Sequence, residues 1–185
     1  MKSYLITDPA FYSAERTAFG RLMQNALQKH RPDFALYRDK NSPDYAQMAE
    51  LFLELCSRFA ETKPLLHGNV ELAAKLKAFG VHLTSQQAGE IERAKGLGLF
   101  VVISCHSEEE MMQAQQKGAD AVTYSPVFSS PGKGEPKGLE DLNERVAKIS
   151  LPIIALGGIT SKAQVKAVEK CGAYAFASIR YFIEN

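Results

Sequence analysis

Short apolar runs alternating with amphipathic stretches from one end of the chain to the other predict an α/β fold: a small, single (β/α)8 TIM barrel spanning residues 1–185. Three observations carry this. The apolar runs, at residues 4–7, 34–38, 65–67, 81–83, 100–104, 121–128, 153–156 and 174–179, number eight. Helix candidates lie between them, and this strict β-then-α alternation implies a parallel sheet. Nothing between them reads as a linker or a low-complexity segment, so the units belong to one domain.

The elements follow in order. Residues 1–6, Met-Lys-Ser-Tyr-Leu-Ile, open a strand and lack the long apolar core and small-residue cleavage site of a signal peptide. Residues 45–59 place Met48, Leu51, Phe52 and Leu55 on one helical face. Ser107 followed by Glu108, Glu109 and Glu110 reads as a helix start, with Ser107 as N-cap and Glu110 completing a capping box. Ser161 reads as the cap of the helix after the seventh strand. The segment 181–185 is too short for a normal closing helix, so the final helix is truncated or missing. That predicts an uncovered flank, covered by a partner subunit in a homodimer or left as a local opening of the barrel.

Composition narrows the function. Apolar residues make up 45% and charged residues 23%, ordinary for a soluble globular protein, and no apolar run is long enough to span a bilayer. A net charge of +1 argues against a general nucleic-acid binder. Cys56, Cys105 and Cys171 are scattered and odd in number, which points to a reducing cytoplasm without a disulfide framework. The four histidines, His30, His67, His82 and His106, do not form a metal-binding signature by spacing.

In a barrel of this kind ligands bind at the C-terminal ends of the strands, so chemistry is sought there. Arg38 and Lys40 follow the second strand, two apart, and an extended backbone would turn both to one side. Such a pair suits a phosphate or diphosphate, although spacing alone favours a solvated basic pair beside Asp39. The loop 129–138 is rich in Gly and Pro and carries Ser130 and Lys133. It reads as a lid closing on an anionic substrate, or as a surface loop. Ser104 ends the fifth strand, as a ligand donor or as a hydroxyl satisfying the start of a helix. His67 ends the third strand and His82 lies in the fourth. Each is a candidate acid or base near neutral pH, or a satisfied core residue. Cys105 has no activating partner and reads as a packed thiol. Gly157 and Gly158 join a buried strand to a helix start, where backbone N–H groups favour an anion, but such a turn also needs glycine for steric reasons.

Taken together, these strand ends resemble the thiamine phosphate synthase/TenI superfamily. Leu5-Ile6-Thr7-Asp8, Tyr37-Arg38-Asp39-Lys40, Gly80-Val81-His82-Leu83, Ser104-Cys105-His106-Ser107, Gly118-Ala119-Asp120 with Pro126-Val127-Phe128, and Gly157-Gly158-Ile159 are similar to its motifs in order and spacing. The resemblance implies a cytoplasmic enzyme of thiamine biosynthesis. It would join hydroxymethylpyrimidine diphosphate to thiazole phosphate and release diphosphate with the help of magnesium. By position, Arg38 and Lys40 would meet the pyrimidine diphosphate. Lys133 would hold the leaving diphosphate with Ser130 nearby, and Ser104 would bond the pyrimidine or diphosphate, with His82 among the substrate-binding residues. Gly157, Gly158, Ile179 and Arg180 would present backbone N–H groups to the thiazole phosphate.

The chain also departs from that pattern. The places of the two carboxylates that bind magnesium in a synthase are held by Gly68 and Gln87, so no metal ligand is assigned. Leu36 stands where a glutamine is usual. The catalytic histidine of the sister branch, the thiazole tautomerases, aligns with Pro126, and His67 is the substitute acid or base. The resemblance therefore implies a divergent synthase first, with a tautomerase or a non-catalytic phosphate-binding barrel as alternatives.

Overall fold

The computed structural model describes residues 1–184, without the side chain of residue 184. Its order is β1 (Lys2–Ile6), α1 (Pro9–Tyr12), α2 (Arg16–His30), β2 (Phe34–Tyr37), α3 (Tyr45–Ser57), β3 (Lys63–His67), α4 (Val70–Lys75), β4 (Gly80–Leu83), a 3-10 turn (Ser85–Glu90), α5 (Ile91–Gly96), β5 (Phe100–Cys105), α6 (Glu108–Gln116), β6 (Ala121–Tyr124), α7 (Gly138–Lys148), β7 (Ile153–Leu156), α8 (Lys162–Lys170), β8 (Ala175–Ser178) and α9 (Tyr181–Glu184). All strand pairs are parallel, and β8 pairs with β1, so the barrel is closed. Closure removes the expected local opening.

The period of a strand sorts the apolar residues into two cores. Tyr4, Ile6, Phe34, Leu36, Leu65, Val102, Ala121, Ile154, Ala175 and Ala177 fill the barrel, while their neighbours, such as Leu5, Ala35, Val101 and Ile103, pack under the helices. At the N-terminal end the interior is plugged by the rings of Phe34, Phe79 and Phe100, with the Lys63 ammonium over Phe34 and Phe79. At the other end the interior positions turn polar: His67, His82, Ser104 and Thr123. The chain thus has an apolar floor and a polar mouth.

Several expectations need correction. Regular strand ends at Tyr124 rather than at residue 128, because Pro126 has no N–H to give the ladder; Val127 and Phe128 still donate to Leu156 and Gly157. The last strand is likewise confined to Ala175–Ser178, and α3 stops at Ser57. Ser107 caps α6 through the Glu110 N–H, but the Glu110 carboxylate accepts from the His106 N–H, one residue before the cap, so the box is not reciprocal. At α8 a complete capping box forms between Ser161 and Gln164.

The short end of the chain does more than expected. Phe182 of α9 is 3% exposed, stacked on Phe176 of β8 and edge-on to His30 of α2. One helical turn covers this flank from within the chain, which removes that ground for expecting a partner subunit. Residue 185 of the expected segment lies outside the described residues.

Candidate active site at the barrel mouth

Two clusters lie at the C-terminal ends of the strands, one after β1 and β2 and the other after β7 and β8. The first is basic and is organised by Asp8. One Asp8 oxygen caps α1 through the Ala10 N–H at 3.0 Å, and the other pairs with the Arg38 guanidinium at 3.3 Å. The Thr7 hydroxyl accepts from the Arg38 N–H at 2.9 Å, which fixes the backbone where β2 ends. Asp39 turns away: its carboxylate accepts from the Asn41 N–H and lines an outer pocket of about 470 Å³ with Arg16, Asn41 and Asp44. Arg38 is half-buried against Asp8, while Lys40 is exposed, so the solvated reading stays open for Lys40.

Beside this cluster, at the end of the neighbouring strand β3, lies His67. The Tyr45 hydroxyl bridges the carbonyls of Tyr37 and His67 at 3.2 Å each and so ties the ends of β2 and β3. Burial, and then the positive field of Arg38 and of Lys40, push the His67 ring down to about 4. At neutral pH His67 is therefore an uncharged ring, a weak base and not the imidazolium that a general acid requires.

His82 is 3% exposed and lies beneath the mouth rather than in it. The Tyr4 hydroxyl is 3.0 Å from Nδ1, and the Ser104 hydroxyl is 3.1 Å from Nε2. Burial, then His67 and Arg38, push its ring to about 3. Ser104, half-buried at the end of β5, is the upper end of this chain. Cys105 is buried with its thiol pushed up to about 12, as a packed thiol should be.

These buried rings make a stability prediction. Unfolded histidines bind protons near pH 6.5, whereas folded His67 and His82 do so only near 4 and 3. Between these limits the unfolded chain binds more protons, so stability falls as pH falls from 6.5. His82 alone should cost roughly 3 kcal/mol by pH 4. Urea titrations at pH 7, 6, 5 and 4 would check this, and a midpoint that is flat from 7 to 5 would refute it.

The second cluster is a backbone pocket of about 80 Å³, lined by Ser130, Leu156–Thr160 and Ala177–Arg180. Four predicted residues, Gly157, Gly158, Ile179 and Arg180, meet here with Ser130. Gln164 accepts from the N–H groups of Thr160 and Ser161 and donates to the Gly158 carbonyl, which fixes the loop. The Ser178 hydroxyl donates to the Ile159 carbonyl at 2.6 Å and accepts from the Tyr181 N–H, locking the other wall. Gly157 and Gly158 have φ of +100° and +69°. A Cβ at Gly157 would fall 2.6 Å from Pro126 Cα, and one at Gly158 2.4 Å from the Ser129 carbonyl oxygen. The space these glycines leave is therefore filled by the protein's own loop 126–129, a steric role alongside any ligand role.

That loop is the foot of the predicted lid. Its two ends are tied together, Lys137 N–H to Pro126 O at 2.8 Å and Gly138 N–H to Val127 O at 3.1 Å, and the Lys137 ammonium sits over the Tyr124 ring. Residues 131–136 are exposed, Lys133 among them, and Lys133 stands outside the pocket that Ser130 lines.

With the mouth described, its kinship can be placed. The sequence model of the thiamine monophosphate synthase family matches residues 3–182. The chain belongs to that family. Its relatives include the thiamine-phosphate synthase of Clostridium novyi, 30% identical over 100% of this chain and 91% of that protein. The thiamine-phosphate synthase of Nitrosococcus oceani is 33% identical over 77% of this chain and 68% of its own length. Among solved structures, a thiamine phosphate pyrophosphorylase from Pyrococcus furiosus superposes with a TM-score of 0.80 at 28% identity, covering 96% of this chain and 85% of that one.

Gly68 and Gln87, the two positions that the resemblance assigns to the metal, are in direct contact. Gly68 has φ +70°, and its carbonyl accepts from the Gln87 amide at 2.8 Å. The Gln87 amide oxygen accepts from the Thr84 N–H at 3.0 Å. Among the described residues no three His, Cys, Asp or Glu side chains are grouped so as to hold a metal ion, and no helix is long and apolar enough to cross a membrane.

Sequence reasoning missed Tyr4, Tyr45, Asp8 and Ser178. Asp8 was within reach, standing directly after the first strand where a cap and a mouth residue coincide. Tyr4 and Tyr45 carry no local signal beyond that of a strand or helix former.

Proposed function

We propose that the protein is a thiamine-phosphate synthase acting on two small phosphorylated substrates, hydroxymethylpyrimidine diphosphate and thiazole phosphate. The observation that supports this reading is the presence at one end of the barrel of two cations after β2, Arg38 and Lys40, and of a separate backbone pocket at 157–160 and 177–180 after β7 and β8. Two anionic substrates need two such sites.

In this reading Arg38 and Lys40 receive the pyrimidine diphosphate, and the thiazole phosphate enters the glycine pocket against Gly157, Gly158, Ile179 and Arg180. The C–O bond to diphosphate breaks first, leaving a pyrimidine methylene cation. The thiazole nitrogen then supplies the electron pair of the new C–N bond. No proton need move in either step, which suits a mouth whose histidine is neutral. The protein contributes position and positive charge at the departing diphosphate, from Arg38, Lys40 and, on lid closure, Lys133.

Magnesium is the ion implied for this chemistry. The residues at its expected place do not fit: Gly68 offers no side chain, and the Gln87 amide is consumed by Gly68 and Thr84. Magnesium takes carboxylate oxygens in preference to a neutral amide already bonded, and no step is assigned to it here.

The test is product. The protein with both substrates, assayed with and without magnesium by oxidation of thiamine phosphate to fluorescent thiochrome, is expected to form product. Lys133→Ala should lower the rate about 100-fold. Folded protein that forms none would overturn the reading and leave a thiazole tautomerase or a phosphate-binding barrel.

A further inference from the structure

The polar layer beneath the mouth has a direction. Tyr4 is wholly buried, and among the described residues its hydroxyl has one hydrogen-bond partner, His82 Nδ1 at 3.0 Å. A buried phenol that donates no hydrogen bond forfeits about 1–3 kcal/mol, whereas its oxygen can go without a donor at less cost. Tyr4 therefore donates and Nδ1 accepts. On a neutral imidazole the proton then sits on Nε2, which is 3.1 Å from Ser104 Oγ, so Nε2–H donates to Ser104. From the other side the Thr123 hydroxyl, 1% exposed, lies 3.5 Å from the same oxygen and has it as its acceptor. Both lone pairs of Ser104 face donors from below, and its own hydrogen is left for the mouth.

We infer that Tyr4, His82 and Thr123 act as positioning residues that fix Ser104 as a one-way hydrogen-bond donor, so that the ligand atom seated on Ser104 is an acceptor. This rests on the synthase reading for what occupies the mouth, and it deepens that reading. A diphosphate oxygen or an unprotonated ring nitrogen of the pyrimidine fits; an exocyclic amino group, which would offer a hydrogen, does not. The neutrality the relay needs comes from the surroundings of His82. The ring is buried above an apolar interior, and Arg38 contributes positive field. A second proton on the ring would turn Nδ1 into a donor facing the Tyr4 hydroxyl and break the chain at its start.

The tautomer is directly measurable on the free protein. Long-range proton–nitrogen correlation spectra of labelled protein at pH 7, with His82 assigned by elimination using His30→Gln, His67→Gln and His106→Gln, should show Nε2 protonated and Nδ1 bare. An Nδ1–H tautomer, an exchanging mixture or an imidazolium would overturn the relay. Calorimetric binding of hydroxymethylpyrimidine diphosphate provides the second arm. Tyr4→Phe should weaken binding about 5- to 10-fold in the wild-type background and less than twofold in the Ser104→Ala background. An undiminished effect in the Ser104→Ala background would mean that Tyr4 acts by packing, and would overturn the inference. If the wild type fails to bind this ligand, the synthase reading falls, and the tautomer spectrum alone decides whether Ser104 is held as a donor.

Discussion

Arg38→Met is expected to lower kcat/KM for hydroxymethylpyrimidine diphosphate by about 10²- to 10³-fold, with stability almost unchanged. A guanidinium can meet two phosphate oxygens at once, and each charge-assisted bond is stronger than a neutral one. Charge developing on a departing diphosphate makes such a donor more valuable in the transition state than in the bound substrate. The effect on folding is small because the Arg38–Asp8 pair is about a quarter exposed on each side, and pairs of that kind contribute of order 1 kcal/mol or less. Arg38→Lys should fall between the two, keeping the charge and losing the fork. Steady-state kinetics with the thiazole phosphate held saturating would decide. A Met variant within threefold of the wild type would remove Arg38 from the site and with it the basic half of the proposed mechanism. The same substitution takes away one of the two cations that depress His67, so the His67 ring should titrate at higher pH in the variant.

The barrel was legible because its strands are buried on both faces and so read as unbroken apolar runs, and because their number leaves closure as the economical topology. Strand ends were less legible. At Pro126 the apolar character continues through Val127 and Phe128 while the ladder loses a donor, so residue type and hydrogen bonding part company there. The end of the chain misled for a related reason. A segment of a few residues is short for a helix, but Phe182 needs one turn only to reach Phe176 and His30.

Candidate site residues could be named from the sequence where a polar or cationic side chain, or a glycine pair, coincides with a strand end, as at Arg38, Lys40, Ser104, Gly157 and Gly158. What sequence could not supply is contact across the barrel. Tyr4 and His82 are 78 residues apart, and their bond depends on the width of the barrel and on which residues of β1 and β4 point inward at one height. The roles of Gln87 and Gln164 are also three-dimensional. Each uses its amide oxygen to gather N–H groups at a helix start and its amide nitrogen to hold the carbonyl of Gly68 or Gly158. The parallel is informative, since one of these glutamines braces the phosphate pocket and the other braces the place where a synthase is expected to hold its metal. In this chain the Gln87 side chain bonds the backbone at both of its ends.

Gly158→Ala is expected to destabilise the fold by about 2–4 kcal/mol and to weaken thiazole phosphate binding as well. Two costs add. The left-handed φ of +69° penalises any Cβ, by roughly 1–2 kcal/mol. The new methyl group would also lie 2.4 Å from the Ser129 carbonyl oxygen and 2.9 Å from Phe128 Cβ, a contact that only movement of loop 126–129 can relieve. Backbone is the obstacle here rather than the end of a flexible side chain, so the foot of the lid must shift, and Ser130 moves with it out of the wall it shares with Gly158. Loss of stability and loss of phosphate binding are thereby coupled through one contact. Gly20→Ala in α2 provides the contrast: nothing lies within 4 Å of its Cβ, φ is not left-handed, and alanine is the better helix former, so stability should rise by about 0.5–1 kcal/mol. Urea unfolding of the two variants beside the wild type should move the midpoints in opposite directions. Equal midpoints for Gly158→Ala and wild type would mean that the loop yields freely, and the glycine would then have to be explained by the ligand alone.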